Sequence, residues 1–86
     1  MTRRSLIRVL LVDDHGLVRI GIREQLASCQ DFSVVGEAAS VKQAVELARR
    51  LTPQVVLLDL NLPDGSGHQA CRRILAGVPA TRVLIM

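Results

Sequence analysis

Four short apolar-rich runs, at Leu6 to Val12, Phe32 to Ala38, Val55 to Leu58 and Arg82 to Met86, are separated by stretches of helical periodicity. The first run predicts a strand that ends in Asp13-Asp14-His15-Gly16, after a polar tail from Met1 to Ser5. Beyond it Leu17, Val18, Ile22 and Leu26 recur at helical spacing with Arg19, Arg23 and Gln25 between them, predicting an amphipathic helix to about Cys29. Phe32 to Ala38 alternates only in part, which suits a second strand nearer a sheet edge. Ser40 with Gln43 three residues on is a capping-box pattern, and Val41, Ala44, Val45, Ala48 and Leu51 make the stripe of a second helix that stops before Pro53. Val55 to Leu58 shows no alternation, as expected of a parallel strand covered on both faces. Pro63-Asp64-Gly65 is turn chemistry, and Ser66 with Gln69 repeats the cap ahead of a third helix whose Ala70 and Ile74, with Cys71 and Leu75, face the core. Gly77-Val78-Pro79 ends that helix before the fourth strand begins at Arg82.

The resulting order, βαβαβαβ, implies a parallel sheet with right-handed crossovers. If the second and third strands flank the first on opposite sides, the first helix covers one face and the other two helices cover the other. The chain reverses direction between the first and third strands, and open α/β sheets bind ligands at that switch point, beyond the carboxyl ends of the strands. Those ends carry Asp13, Asp14 and Asp59. Three acids drawn from distant segments repel one another, and a divalent cation relieves the repulsion. Oxygen donors, with no His or Cys at zinc-ligand spacing, favour Mg²⁺. A dinucleotide fingerprint is disfavoured, because the first strand-to-helix turn has acids where the phosphates would need glycines.

Composition narrows the remaining classes. Eighty-six residues allow one small domain, and 49% hydrophobic with 22% charged residues is a globular composition. The net charge is +3, but the basic residues are scattered and Phe32 is the only aromatic residue, so direct nucleic-acid binding by this segment is weakly supported. Cys29 and Cys71 read as reduced packing residues outside any disulfide framework or zinc site. The apolar runs are too short for a membrane span and no signal-peptide stretch precedes them, which points to the cytosol and to no membrane partner.

Val-Asp-Asp-His, Val-Val-Gly-Glu-Ala, Ala-Arg-Arg-Leu-Thr-Pro-Gln-Val-Val-Leu-Leu-Asp and Asp-Leu-Asn-Leu-Pro-Asp-Gly-Ser-Gly together resemble the receiver domain of bacterial two-component response regulators, most closely its NarL/FixJ branch. The resemblance runs from Ile7 to Met86 and implies a flavodoxin-like, doubly wound α/β fold with strand order 2-1-3-4. It implies that Asp59 accepts a phosphoryl group from a sensor histidine kinase, that Asp14 binds Mg²⁺ directly and Asp13 mainly through water, and that the Asn61 backbone carbonyl is a further ligand. His15 is read as a loop residue and His68 as a solvent-facing helix residue.

Receivers continue past the fourth strand with a Ser or Thr, a further helix, a fifth strand ending in Lys and a last helix. Here the only lysine is Lys42, and Thr81 precedes the fourth strand rather than following it. The expectation is therefore a single receiver domain over residues 1–86, about its N-terminal two-thirds, with the LuxR-type DNA-binding domain absent. Such a piece is expected to self-associate or form a homodimer through its open strand edge. Two other classes stay open. One is a structural or dimerisation module with an inactive switch. The other is a Mg²⁺-dependent phosphohydrolase with an aspartate nucleophile, which Asn61 disfavours because those enzymes usually place a second acid there.

Overall fold

The computed structural model describes residues 6–86, so the polar tail expected before them lies outside the described residues. The elements are β1 (Ile7–Val12), α1 (Gly16–Ala27), β2 (Phe32–Ala38), α2 (Val41–Leu51), β3 (Val55–Leu58), β4 (Asn61–Leu62), β5 (Gly65–Ser66), α3 (Gly67–Gly77) and β6 (Arg82–Ile85). Four of the strands form one parallel sheet in the order β2-β1-β3-β6. This is the doubly wound, flavodoxin-like layout expected from the alternation of elements, with the predicted fourth strand appearing as β6. Among the described residues, no helix is long and apolar enough to cross a membrane.

The two faces of the sheet are covered unequally. On one, Leu10 and Val12 of β1 and Val56 and Leu58 of β3 pack with Val41, Ala44, Val45 and Ala48 of α2 and Ala70 and Ile74 of α3. The alanines leave no side chain beyond Cβ, which lets both helices lie close over the aliphatic strand residues. On the other face Val9 and Leu11 are buried, yet α1 itself has no buried residue: Ile22 and Leu26 are half-buried, and Leu17 is 85% exposed. The registers β1/β3 and β3/β6 put Leu57 beside Leu84 on this same face, where Leu84 is exposed.

Local chemistry explains the element boundaries. Ser40 Oγ accepts the Gln43 N–H at the start of α2, while the Gln43 side chain takes the Ala39 N–H rather than that of Ser40, so the box is displaced by one residue. Ser66 and Gln69 form the full reciprocal box at the start of α3. At the far end of α2, the Arg8 guanidinium donates to the carbonyls of Leu51 and Thr52, satisfying acceptors that the helix leaves unpaired. A register shift between Val9 and Leu10 bulges β2, and Gly36 follows it. A Cβ on Gly36 would lie 2.8 Å from a Leu51 methyl and 3.3 Å from one of Leu10, so a larger residue at the bulge would push those leucine side chains aside.

Four expectations need correction. Helix α1 ends at Ala27, two residues early, where the Ser28 N–H bonds the Glu24 carbonyl. Strand β3 alternates in burial, with Val56 and Leu58 buried but Val55 and Leu57 half-buried, because α1 covers its face less fully than α2 and α3 cover theirs. Cys29 is exposed rather than packed, lying beyond the end of α1, whereas Cys71 does pack against the core and both are free thiols. The segment after β3 is a two-stranded antiparallel ribbon, β4 with β5, rather than a plain turn.

Candidate functional site

The site lies at the carboxyl ends of β1 and β3. Asp13 directly follows β1, and its N–H bonds the Ala38 carbonyl at 3.0 Å, extending the ladder with β2 by one residue and carrying the carboxylate into a buried position. Asp59 directly follows β3, where its N–H bonds the Val12 carbonyl at 2.9 Å. That single bond sets the acid of the third strand beside the acids of the first. Asp14 is the exposed member of the pair. Among the described residues, ligand atoms of Asp13, Asp14, His15 and Asp59 all lie within 4.8 Å of one another.

His15 holds the middle of this group. Its ring Nδ1 lies 2.9 Å from Asp13 Oδ1, 3.0 Å from Asp14 Oδ1 and 3.9 Å from Asp59 Oδ2, and its backbone N–H also bonds Asp13 Oδ1 at 2.7 Å. The hydrogen bond to Asp13 raises the His15 pKa above the usual histidine value, with the charges of Asp14, Asp13 and Asp59 adding to it. The imidazole thus stands where carboxylates converge on positive charge. Reading His15 as a plain loop residue missed this, although its position directly after two acids was a signal for it. It sits at the N-cap of α1 without a side-chain capping bond, leaving the ring free for the acids.

The donor set fits a hard divalent cation. Mg²⁺ takes oxygen ligands of this kind, usually one or two carboxylates with waters, and the three acids supply them. Asn61 lies two residues beyond Asp59, at the start of β4, with its N–H 3.5 Å from Asp59 Oδ1. The loop is clamped from behind by Gly67, whose N–H bonds the Leu60 carbonyl at 2.7 Å. A Cβ on Gly67 would meet the Asp59 carbonyl oxygen at 2.5 Å, so glycine here is what lets α3 start against the residue after β3.

Other singled-out residues lie elsewhere. The Asp64 carboxylate accepts the N–H groups of Val41 and Lys42 at 2.7 and 3.0 Å, joining the ribbon to the start of α2. Those two bonds hold its pKa below the usual carboxylate value. Thr81 is buried at the opposite end of the sheet, where its hydroxyl donates to the Pro53 carbonyl at 2.7 Å. Lys42 and His68 are exposed on their helices.

A doubly wound parallel sheet with paired acids after its first strand and one acid after its third is the arrangement of receiver-type signalling domains. The family model described as the response regulator receiver domain matches residues 9–86, and the chain belongs to that family. It is 42% identical over 81 residues to the DNA-binding transcriptional activator DevR/DosR of Mycobacterium tuberculosis, a match that covers 94% of this chain and 37% of that protein. Among solved structures, a LuxR-family two-component response regulator from Aurantimonas superposes with a TM-score of 0.89 at 42% identity, covering 94% of this chain and 58% of the other. The response regulator domain of Thermotoga maritima CheB gives 0.90 at 36% identity, covering 94% and 60%. The chain is thus a receiver of two-component systems with transcriptional regulators among its relatives, and it spans well under half the length of the curated relative.

Proposed function

We propose that residues 1–86 act as one phosphoacceptor unit in which Asp59 takes a phosphoryl group from the phosphohistidine of a sensor kinase. One Asp59 carboxylate oxygen forms the new O–P bond as the N–P bond of the donor breaks, and the leaving imidazole takes up a proton. The observation that carries this reading is the Asp59-to-Val12 backbone bond, which aligns the nucleophile with Asp13 and Asp14 at the switch point. Asp14 is assigned as a direct Mg²⁺ ligand, Asp13 as a ligand mainly through water, and Asp59 and the Asn61 carbonyl as the remaining protein donors. The metal, when bound, neutralises charge on the phosphoryl oxygens. Asp13, being buried, holds the cluster in place, while Asp59, with its side chain 21% exposed, remains open to a donor.

The unit is a signalling acceptor rather than a turnover enzyme, and we place it in the cytoplasm, where its kinase would present the phosphohistidine. Its relatives' names support a role in transcription. DNA contact is assigned to a LuxR-type helix-turn-helix segment rather than to residues 1–86. Self-association is assigned to the apolar surface of α1 and β6. Incubation with acetyl phosphate and Mg²⁺ tests the acceptor. One base-labile phosphoryl group on Asp59, absent in Asp59→Asn, is the expected result, and labelling that survives the substitution would reassign the nucleophile.

A further inference from the structure

Two-residue strands do not hold a ribbon in place by themselves, yet β4 carries Asn61 and starts two residues after Asp59. We propose that Asp64 is a positioning residue of the site: by tying the tip of the β4–β5 ribbon to the start of α2, it fixes Asn61 beside Asp59 and so strengthens cation binding at the switch point. The proposal rests on the reading of Asp59 and the Asn61 carbonyl as cation donors and adds what holds them.

The ties on the ribbon differ in where they lead. The bond from the Gly67 N–H to the Leu60 carbonyl and the box between Ser66 and Gln69 stay within the segment that joins β3 to α3. Leu62 seats one ribbon side chain in the core. Of these polar ties, Asp64 is the one that reaches a separate element: one carboxylate oxygen takes the Val41 N–H at 2.7 Å and the other takes the Lys42 N–H at 3.0 Å. A Cβ on Gly65 would lie 3.1 Å from a Val41 methyl, so the ribbon rests against that same helix start. Only Leu62 and Pro63 separate Asp64 from Asn61, and the proline ring stiffens the link. A tip held at α2 therefore holds Asn61.

Helix α2 does not depend on these bonds for its own start. Ser40 Oγ takes the Gln43 N–H and the Ser40 carbonyl takes the Ala44 N–H, which supplies the cap and the first turn. The N–H groups ahead of them are ones that helices commonly leave to water. A carboxylate placed there gains from the positive end of the helix and from a charge-assisted bond to each oxygen. The partner that is otherwise loosely held is the ribbon. Coupling of this kind is reciprocal: a tether that raises affinity for the cation is itself strengthened by the bound cation, and by the same factor.

Mg²⁺ dissociation constants of the wild-type chain, Asp64→Ala, Asp64→Asn and Ser40→Ala, read from amide resonances at Asp14 and Asn61, test this. Asp64→Ala is expected to weaken binding about fivefold or more, and Asp64→Asn, which keeps one acceptor oxygen, to recover part of the loss. Ser40→Ala removes a bond at the same helix start but leaves the ribbon tied, so it should keep the wild-type affinity. Hydrogen exchange in the wild-type chain needs no variant to fold: saturating Mg²⁺ should slow exchange at the Val41 and Lys42 amides by the factor that Asp64→Ala costs in affinity. Wild-type affinity in Asp64→Ala, an equal loss in Ser40→Ala, or exchange at Val41 and Lys42 indifferent to Mg²⁺ would overturn the positioning role while leaving the cation site standing. Failure of Asp13, Asp14 and Asp59 in the wild-type chain to respond to Mg²⁺ would overturn the underlying site and the proposal with it.

Discussion

The α2/α3 face and the α1 face of one sheet differ in how they are held. On the first, two helices bury four aliphatic strand residues under small alanines and Ile74, and the starts of both helices are tied by Ser40, Ser66 and Asp64. On the second, a single helix without a buried residue lies over β1 and β2, with Ile22 and Leu26 half-buried and Arg23 donating to Glu37 of β2 at 2.8 Å. The contrast teaches that stability and the site draw on different parts. The packed face anchors β1 and β3 where their carboxyl ends meet, while the loosely held α1 begins directly beside the acids, through His15.

The largest effect should come from the packed face. Ile74→Ala removes a fully buried side chain and is expected to destabilise by about 2–5 kcal/mol, against about 1 kcal/mol for Leu26→Ala, where only half the side chain leaves water. Chemical denaturation of the two variants checks it, and equal losses would mean that the faces contribute alike.

Much of this contrast was legible in the sequence. Val55 to Leu58 was bounded correctly because Pro53 and the acid at 59 punctuate an aliphatic run, and the α2 stripe was correct in Val41, Ala44, Val45 and Ala48. The stripe of α1 had the same periodicity, but periodicity says which side faces inward and not how completely it is covered. The ribbon from Asn61 to Ser66 escaped because two-residue strands are too short to alternate. Of the site, Asp13, Asp14 and Asp59 could be brought together from strand order alone. The His15 ring is held mainly by the two acids just before it, a local signal left unread, whereas the bond from Asp64 to the start of α2 spans 23 residues and leaves no local pattern.

The exposed side should also be the adhesive one. Leu17, Val18, Ile20, Leu84 and Met86 leave apolar surface open, and contiguous patches of that kind mark association sites. The 86-residue chain is expected to sediment increasingly as an oligomer with rising concentration and to bind a hydrophobic dye, and Leu17→Ser with Leu84→Ser should weaken both. A monomer at all concentrations would show that this face is satisfied within one chain.

A third effect is electrostatic and sits where α1 meets the site. Because the folded chain raises the His15 pKa, its protonated ring contributes stability that is fully present below the ordinary histidine value and is lost as pH rises through the raised folded value. An NMR titration of the His15 ring should give a midpoint above that of an unstructured histidine, moving down in Asp13→Asn, whose hydrogen bond is the largest cause. A midpoint indifferent to Asp13 would place the ring outside the cluster.

The smallest effect concerns the tether of α1. Arg23 and Glu37 are partly exposed, and a double-mutant cycle with Arg23→Ala and Glu37→Ala should yield a coupling of about 0.2–1 kcal/mol, shrinking with salt. A larger coupling would mean that polar contacts hold α1 more firmly than its thin apolar contact suggests.

The central claim is that acids from two ends of the sequence operate as one cation site, and a Mg²⁺ titration followed through backbone amide resonances tests it most directly. The account expects saturable shifts concentrated at Asp13, Asp14, Asp59 and Asn61, lost together in Asp14→Ala while the shifts of the α2/α3 core stay in place. Shifts confined to one strand end, or an unchanged response in Asp14→Ala, would contradict it.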